Sequence, residues 1–310
     1  MTRDHAAAGT VLVGVDGSEE SLRAVAWAAE QAALENRALT LVHCADQLVL
    51  RETAWLDVQG IDHRELVKAL DVAARAVLTT ARERAELAAP GVRTTTELVR
   101  DDARVVLADA SAEAHLVVVG SRGRGPLRSA VLGSVSASLA KHAEGPVVVC
   151  RPRAAGRTYG DRIVVGADGT AASLPVLEFA FAQASLRRAP LTVMHCFWDV
   201  LAATEGSGTV AAPAHDRHDD LEDLRLLLAE SVAGLAEKYP DVEVTQELAR
   251  GLVDECLADR TPDAALVVVG RTTGSGWSRF LHSSCALAVL ERARTTVAVV
   301  PESTRGEETP

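Results

Sequence analysis

The sequence predicts an α/β protein made of two tandem doubly wound domains, each with a parallel sheet of about five strands and helices on both faces. Short apolar runs alternate with Ala-rich amphipathic stretches along the 310 residues, a pattern typical of buried parallel strands connected by helices. Hydrophobic residues make up 48% of the chain and aromatic residues only 3%, which favours this class over a β-sandwich. The length is sufficient for two domains that each bury a full core.

An internal duplication predicts where the two domains lie. Three blocks of the first half recur in the same order roughly 150 residues later. They are Val13–Ser21 with Val165–Ser173, Leu39–Cys44 with Leu191–Cys196, and Leu116–Gly120 with Leu266–Gly270, the last pair being identical. We therefore expect domains at 1–153 and 161–301, with a linker rich in Pro, Gly and charge at 151–160. The acidic residues 302–310 are expected to form a disordered tail.

In the first half, apolar runs predict the strands and amphipathic stretches predict the helices. In chain order these are strand 10–15, helix 18–35, strand 38–44, helix 63–89, strand 92–98, helix 102–113, strand 115–119, helix 134–143 and strand 146–150. An irregular segment separates the second strand from the second helix. Ligands of such sheets bind beyond the carboxyl ends of the strands, where the strand order reverses. Candidate site residues at those ends are Asp16, His43, Cys44 and Gly120.

Composition and charge exclude several other classes. The net charge of −11 disfavours nucleic acid as the main partner. The amino terminus lacks the apolar core of a signal peptide, and no apolar run approaches the ~18 residues that span a bilayer, so we expect a cytoplasmic protein without a membrane partner. The five cysteines and nine histidines show no metal-ligand spacing, so we expect reduced thiols and identify no metal site.

The most informative motif is a G-x2-G-x9-G-S spacing that follows an apolar strand. Its members are Gly120, Gly123, Gly133 and Ser134, and three arginines accompany them at Arg122, Arg124 and Arg128. Glycines let backbone N–H groups approach phosphate oxygens, and a helix amino terminus supplies further N–H donors. The alternative is structural: glycine after a strand is common, and a serine before a helix is often a plain N-cap worth ~1 kcal/mol. The joint pattern favours a polyphosphate site.

These residues resemble the universal stress protein family. The family signature is G-x2-G-x9-G-[S/T], combined with an early strand that ends in Asp16-Gly17-Ser18 and a strand that ends in His43-Cys44. The resemblance covers nearly the whole chain as two tandem copies, like those of actinobacterial stress proteins. It implies a strand order of 3-2-1-4-5 in each half, ATP as the ligand, and a dimer formed through the last strand. We expect Mg²⁺ to accompany the ATP.

The resemblance also assigns individual roles in the first half. Asp16 and the backbone at Cys44 would hold the adenosine part, and Val119 and Gly120 would lie at the ribose. The phosphates would be held by Gly123, Gly133, Ser134, Val135 and Ser136, with Arg122 beside them. Residue chemistry leaves alternatives open, because Asp16 also suits a turn or an N-cap and Cys44 suits a small buried position.

The second half retains the adenosine side of this pattern and loses part of the phosphate side. Its candidate residues are Asp168, Cys196, Val269, Gly270, Ser283 and Ser284. Thr273 stands where Gly123 stands, Ser283 replaces Gly133, and Thr272 replaces Arg122, while Arg271 and Arg279 offer partial compensation. The sequence therefore predicts one tight site and one weak site per chain.

The motifs of fast nucleotide hydrolysis are missing from the sequence. It contains no G-x4-G-K-[S/T], no G-x-G-x2-G after a strand and no G-x-S-x-G elbow. We therefore expect an ATP-binding regulatory protein that is not an enzyme. Two alternatives are kept: a scaffold module of the same fold that does not need nucleotide, and a slow ATPase or adenylyl- or phosphoryl-transfer enzyme.

The last strand of each half is predicted to lie at a sheet edge. These strands are Pro146–Cys150 and Thr296–Val300, and their unpaired backbone groups favour pairing with another strand. The pairing can join the two halves of one chain or two different chains. A homodimer through these edges is the expected assembly.

Overall fold

A computed structural model describes residues 7–45, 63–123, 132–152, 161–197, 216–260, 262, 264–272 and 277–303. The chain divides into two compact units, Met1–Pro152 and Arg153–Pro310. Most of the predicted linker, at 153–160, lies outside the described residues, as do Arg124, Arg128 and Thr273. Each unit is an α/β domain, as the sequence predicts.

The first unit contains five strands and four helices among its described residues. The strands are β1 (Val11–Gly14), β2 (Leu39–Cys44), β3 (Thr94–Val99), β4 (Leu116–Gly120) and β5 (Val147–Cys150). The helices are α1 (Glu19–Leu34), α2 (His63–Ala88), α3 (Ala103–Ala110) and α4 (Ser134–His142). All agree with the predicted elements to within a few residues.

The strand order of the first unit is β3-β2-β1-β4-β5, and every pair is parallel. This confirms the predicted order 3-2-1-4-5. The chain moves outward from β1 through β2 to β3 and then crosses back to β4, so the order reverses between β1 and β4. Because parallel crossovers are right-handed, α1 and α2 cover one face of the sheet while α3 and α4 cover the other. The reversal opens a crevice beyond the carboxyl ends of β1 and β4.

Helix α3 ends earlier than the sequence predicts, at Ala110 instead of residue 113. The hydroxyl of Ser111 donates a hydrogen bond to the carbonyl oxygen of Ala108 at 2.5 Å and accepts one from the backbone N–H of Glu144 at 2.8 Å. A serine side chain that bonds a nearby carbonyl competes with the helical pattern. The helix therefore stops there, and Ser111 ties its end to the loop before β5.

The second unit repeats the architecture of the first. Its strands are β6 (Arg162–Gly166), β7 (Leu191–Phe197), β8 (Val244–Arg250), β9 (Ala264–Arg271) and β10 (Thr296–Pro301). Its helices are α5 (Leu174–Arg187), α6 (Asp216–Lys238), α7 (Val253–Arg260) and α8 (Trp277–Arg292). The strand order is β8-β7-β6-β9-β10, all parallel, which is again 3-2-1-4-5.

The core of each unit lies on both faces of its sheet. Val13 and Val118 in the first unit, and Val165 and Val268 in the second, are fully buried at neighbouring positions of the two central strands. Burying such a side chain completely stabilises the fold by about 1.5–3 kcal/mol. The central strands are therefore held rigidly, and the loops that follow them start from fixed positions. No helix in the described part of the chain is long and apolar enough to cross a bilayer.

Candidate functional site

A cavity of about 450 Å³ opens beyond the carboxyl ends of β1 and β4 in the first unit. It lies where the strand order reverses, as expected for this fold. All ten candidate residues of the first half line it: Asp16, Cys44, Val119, Gly120, Arg122, Gly123, Gly133, Ser134, Val135 and Ser136. The structure thus brings together residues that are far apart in the sequence, and their contacts with a ligand remain a prediction.

Asp16 forms the turn that connects β1 to α1. Its Oδ1 atom accepts hydrogen bonds from the backbone N–H of Ser18 at 2.9 Å and from the Ser18 hydroxyl at 2.6 Å. Gly17 between them has a φ of 80°, which favours glycine. Ser18 is the N-cap of α1, since its hydroxyl oxygen accepts from the N–H of Ser21 at 3.1 Å. Asp16 therefore has a turn role but is not the N-cap.

The second carboxylate oxygen of Asp16 lies against the loop that follows β4. A Cβ atom on Gly123 would lie 2.5 Å from Asp16 Oδ2, closer than real Cβ contacts come. Glycine at position 123 is therefore needed for the close approach of this loop to the β1 turn. The sequence gives no signal for this particular contact, because it depends on how two distant loops approach each other.

A histidine fixes the relative positions of the β1 and β2 ends. His43 Nδ1 lies 2.6 Å from the carbonyl oxygen of Val15, and because a carbonyl only accepts, Nδ1 carries the proton. The second unit repeats this contact between His195 Nδ1 and the carbonyl oxygen of Ala167 at 3.1 Å. The recurrence of His-Cys at the end of both matched strands is the sequence signal for this positioning bond.

Helix α4 begins at the cavity without a side-chain cap. Its N-cap residue is Gly133, which has no side chain to accept from the first N–H groups. Ser134 is the first helical residue and is exposed, so it is not the N-cap that the structural alternative required. The hydroxyl of Ser136 donates to the carbonyl oxygen of Gly133 at 2.9 Å. The first backbone N–H groups of a helix have no partner within the helix, and here the residues that carry them line the cavity.

Arg122 brings a positive charge to the same loop. Its Nε atom is buried and has no hydrogen-bond partner among the residues that the structure describes. Gly133 packs directly against it, since a Cβ on Gly133 would lie 3.3 Å from Arg122 Cα. A buried donor without a partner is costly, so the site is suited to an acceptor that enters from outside. An anion satisfies both Arg122 and the start of α4.

Part of the wall of the cavity is apolar. Val42, Leu107, Val119 and Leu132 line it and are nearly or fully buried. Cys44 lies beside them at the end of β2 and is half-buried. Such a wall accommodates a flat, weakly polar ring, while the α4 side accommodates an anion. No group of three side chains suited to hold a metal ion occurs in the described part of the chain.

The second unit keeps the turn that carries the aspartate. Asp168 Oδ1 accepts hydrogen bonds from the Thr170 N–H at 2.9 Å and the Thr170 hydroxyl at 2.7 Å. Gly169 has a φ of 77°, like its counterpart in the first unit. Cys196 lies near the end of β7, and Val269 and Gly270 lie near the end of β9. The aspartate turn of the second unit is thus built like that of the first.

The helix of the phosphate side differs between the two units. Helix α8 begins at Trp277, so Ser283 and Ser284 lie beyond its first turn. Backbone N–H groups beyond the first turn of a helix are bonded within it and are not offered to a ligand. The aligned position of Ser283 and Ser284 therefore does not correspond to a helix start. Gly133 prevents α4 from extending further towards the amino terminus, whereas serine at the aligned position 283 lets α8 extend back to Trp277.

Three thiols lie close together in the second unit. Burial raises the pKa of Cys196 far above its ordinary value, and the neighbouring Cys256, which is hydrogen-bonded to it, and Cys285 raise it further. Burial raises the pKa of Cys285 to about 11, with additional contributions from Asp254 and Glu302. Cys196 and Cys285 are therefore neutral near pH 7.

The start of the predicted disordered tail is ordered, which corrects the sequence interpretation of 302–310. The Thr272 hydroxyl donates to Glu302 Oε2 at 2.8 Å, and the Ser303 N–H donates to the Ala172 carbonyl at 3.1 Å. Glu302 also donates its backbone N–H to the carbonyl of Arg271 at 2.9 Å, continuing the ladder between β10 and β9. Composition alone does not reveal these bonds. Residues 304–310 lie outside the described residues.

Comparisons with known proteins identify close relatives of this arrangement. The universal stress protein family model matches the chain twice, at residues 8–151 and 160–301. The chain is 34% identical over 302 residues to a universal stress protein of Mycolicibacterium smegmatis, covering 94% of this chain and 96% of the relative. Universal stress protein Rv2623 of Mycobacterium tuberculosis is 34% identical over 304 residues, with the same coverage of 94% and 96%.

A solved structure extends the comparison of the fold. The crystal structure of a universal stress protein from Archaeoglobus fulgidus aligns with a TM-score of 0.66. The alignment covers 97% of this chain and 99% of that chain, at 20% sequence identity. At 20% identity this likeness shows the α/β fold alone.

Proposed function

This chain belongs to the universal stress protein family, as a tandem member with one family domain in each half, and from that premise we propose that it is an ATP-binding regulatory protein. The first unit holds the nucleotide, and nucleotide occupancy changes the shape or the partners of the protein. A cytoplasmic location and a homodimer formed through the terminal edge strands are parts of the same proposal.

The observation that carries the proposal is the loop between β4 and α4. It places the buried, unpartnered Nε of Arg122 next to a helix start that has Gly133 as an uncapped N-cap. Both line one cavity of about 450 Å³. A cationic side chain and several backbone N–H donors on one wall match a polyphosphate, which brings negative charge and many acceptor oxygens. A plain structural turn needs neither feature.

The rest of the cavity matches the nucleoside part of ATP. The apolar wall formed by Val42, Leu107 and Leu132 provides a surface for the adenine ring. Asp16 lines the cavity and offers carboxylate oxygens, which accept hydrogen bonds from ribose hydroxyls or from an adenine amino group. The backbone at Cys44 and Gly120 offers further polar groups between these two sides. When bound, ATP supplies the negative charge that Arg122 and the start of α4 neutralise, with Mg²⁺ on its phosphates.

The chemistry of the cavity favours binding over turnover. The titratable side chains among its described lining residues are Asp16, Cys44 and Arg122. One oxygen of Asp16 accepts hydrogen bonds from Ser18, and Arg122 is the cationic side chain of the set. This set offers a cation for binding a phosphate group. We therefore assign the protein a regulatory role and no catalytic residues.

Mass analysis of the nucleotide released from freshly purified protein tests the proposal. We expect about one molecule of ATP per chain, bound by the first unit. Absence of any nucleotide, together with no binding of added ATP, would favour the scaffold alternative. Steady accumulation of ADP or AMP from added ATP and Mg²⁺ would favour the slow ATPase or transfer enzyme. A Gly123→Asp variant prepared in parallel should release none, since its loop is altered at the cavity.

A further inference from the structure

Two thiols of the second unit are in contact, although they are distant in the sequence. Cys196 lies near the end of β7, and Cys256 lies in the first turn of α7. The Cys196 side chain is hydrogen-bonded to Cys256, so the two sulfur atoms lie within hydrogen-bonding distance of each other. Both are free thiols and both are only half-buried, which leaves them within reach of a small solute.

The backbone around the pair explains why these sulfurs meet. The N–H of Gly251 donates to the carbonyl oxygen of Phe197 at 3.0 Å, which joins the loop before α7 to the residue that follows Cys196. Gly251 has a φ of 143°, which favours glycine, and a Cβ on it would lie only 3.1 Å from Cys256 Sγ. The Cys256 N–H donates to the carbonyl oxygen of Leu252 at 2.9 Å. The same loop therefore holds Cys256 beside the end of β7.

The first unit has a different pair of residues at the matching positions. Cys44 is the counterpart of Cys196 at the end of β2. The counterpart of Cys256 is Val106, a buried residue of α3. Valine fills this position of the helix in the first unit, so packing alone does not require sulfur at position 256. Cys44 is thus an internal reference, a strand-end thiol that faces valine in place of a second thiol.

We propose that Cys196 and Cys256 form a site of reversible oxidation, at which a hydroperoxide converts the two thiols into a disulfide that ties α7 to β7. Thiols that are already in contact can be linked with little movement of the backbone, whereas distant thiols cannot. The site lies in the second unit and does not depend on nucleotide binding by the first.

The reaction balances with hydrogen peroxide as the oxidant. Burial and the neighbouring Cys256 hold the pKa of Cys196 far above its ordinary value, so Cys256 is the thiol that reacts first. Its thiolate attacks one peroxide oxygen, the O–O bond breaks, and a sulfenic acid forms while the thiol proton leaves in a first water. The Cys196 sulfur then attacks the sulfenic sulfur, and the S–O bond breaks as the S–S bond forms. The Cys196 proton leaves in a second water, so two thiols lose the two electrons that one peroxide gains.

Peptide mapping of the oxidised full chain tests the site. The folded protein is treated with hydrogen peroxide, the remaining thiols are alkylated in urea, and the digest is analysed by mass spectrometry without reduction. We expect one pair of peptides linked through Cys196 and Cys256, with the loss of two of the five thiols of the chain. Dithiothreitol should restore both thiols, and Cys44 should remain alkylated.

Two variants copy the first unit and separate the neighbours of Cys196. Cys256→Val installs the residue found at position 106 and should abolish the link. Cys285→Val installs the residue found at position 135 and removes the other nearby thiol, so it should leave the link intact, because Cys285 affects Cys196 through its charge and is not the thiol hydrogen-bonded to it. Circular dichroism checks that each variant is folded.

The native chain alone decides the outcome if a variant does not fold. Absence of the Cys196–Cys256 link after oxidation of the folded chain, or a link from Cys196 to Cys285 in its place, would overturn the proposal. The chain oxidised in urea is the reference, in which the five thiols should pair without this preference. The same pattern of links in the folded and the unfolded chain would also overturn it, since the contact in the fold would then have no effect.

Discussion

The Oδ2 atom of Asp16 lies 2.5 Å from the point where a Cβ on Gly123 would stand. This contact joins the turn after β1 to the loop after β4, the two segments between which the cavity opens. Glycine at position 123 is therefore needed for the packing of these two segments. It would also let the proposed phosphate approach the backbone of the loop. A substitution at Gly123 will displace Asp16 and alter both sides of the site together.

Gly123→Asp should therefore lose ATP binding by roughly 100-fold or more, because the new carboxylate clashes with Asp16 and repels phosphate. The chain should remain folded, since the change lies in a loop. The matched control is Gly234→Asp, which adds the same charge on α6 where a Cβ would meet nothing within 4 Å. Calorimetry with ATP measures both. Undiminished affinity in Gly123→Asp and also in Gly133→Glu would refute the assignment of this loop.

Arg122→Gln should weaken ATP binding by roughly 10- to 100-fold, because a charge-assisted hydrogen bond from the guanidinium, whose Nε atom is buried, is lost. The thermal stability of the free protein should change little or increase, since a buried donor without a described partner is removed. Arg82→Gln, an exposed change on α2, serves as the charge control. Equal affinity of the two variants would show that Arg122 does not contact the phosphates.

Glu35→Gln should lower the free energy of unfolding by about 1–2 kcal/mol at pH 7, with a smaller loss at acid pH. Burial raises the pKa of Glu35, but the hydrogen bond and charge of His115, 2.8 Å away, outweigh it and leave the pKa below 4.5. A lowered pKa stabilises the fold above pH 4.5, and this stabilisation disappears as the pH falls through the lowered value.

Urea unfolding at pH 7 and near pH 3 measures this difference, and Glu83→Gln on the exposed face of α2 is the control. A destabilisation by Glu35→Gln that is equally large at both pH values would show that the bond with His115 does not depend on the ionised carboxylate.

Cys285 should react slowly with iodoacetamide at pH 8 and should approach its full rate only near pH 11, because burial raises the pKa of its thiol to about 11. The thiolate is the reacting form, so the rate follows the ionised fraction. The unfolded chain is the reference, in which the same peptide should titrate near 9. A native rate at pH 8 equal to the unfolded rate would contradict the buried position of this thiol.

The protein should sediment as a dimer, at twice the chain mass of 32.7 kDa, if the edge strands of two chains pair. Sedimentation equilibrium measures this mass directly. Val148→Lys is not a clean test of this edge, because Val148 is fully buried and lysine there would also damage the core. A monomer mass at all concentrations would exclude pairing across chains.

The sequence predicts the elements and their order well because the apolar runs are short, regular and repeated. It also predicts the residues around the first cavity, since the glycine spacing and the two matched strand ends are local signals. The contact of His43 with Val15 and that of Asp16 with Gly123 could not be predicted, because both depend on how distant loops approach each other.

The second unit shows where local patterns are insufficient. Alignment places Ser283 opposite Gly133, but without glycine the helix continues back to Trp277 and the helix start moves. The acidic composition of 302–310 predicts disorder, yet the register of β10 against β9 and the Thr272 hydroxyl order Glu302. In both cases tertiary contacts override a preference that the local sequence expresses.

The most direct test of the central claim is a calorimetric titration of the nucleotide-free native chain with ATP and Mg²⁺. We predict one tight site per chain, with any second site at least ~10-fold weaker because α8 offers no helix start at Ser283. Two sites of equal affinity, or no binding of ATP at all, would contradict this account.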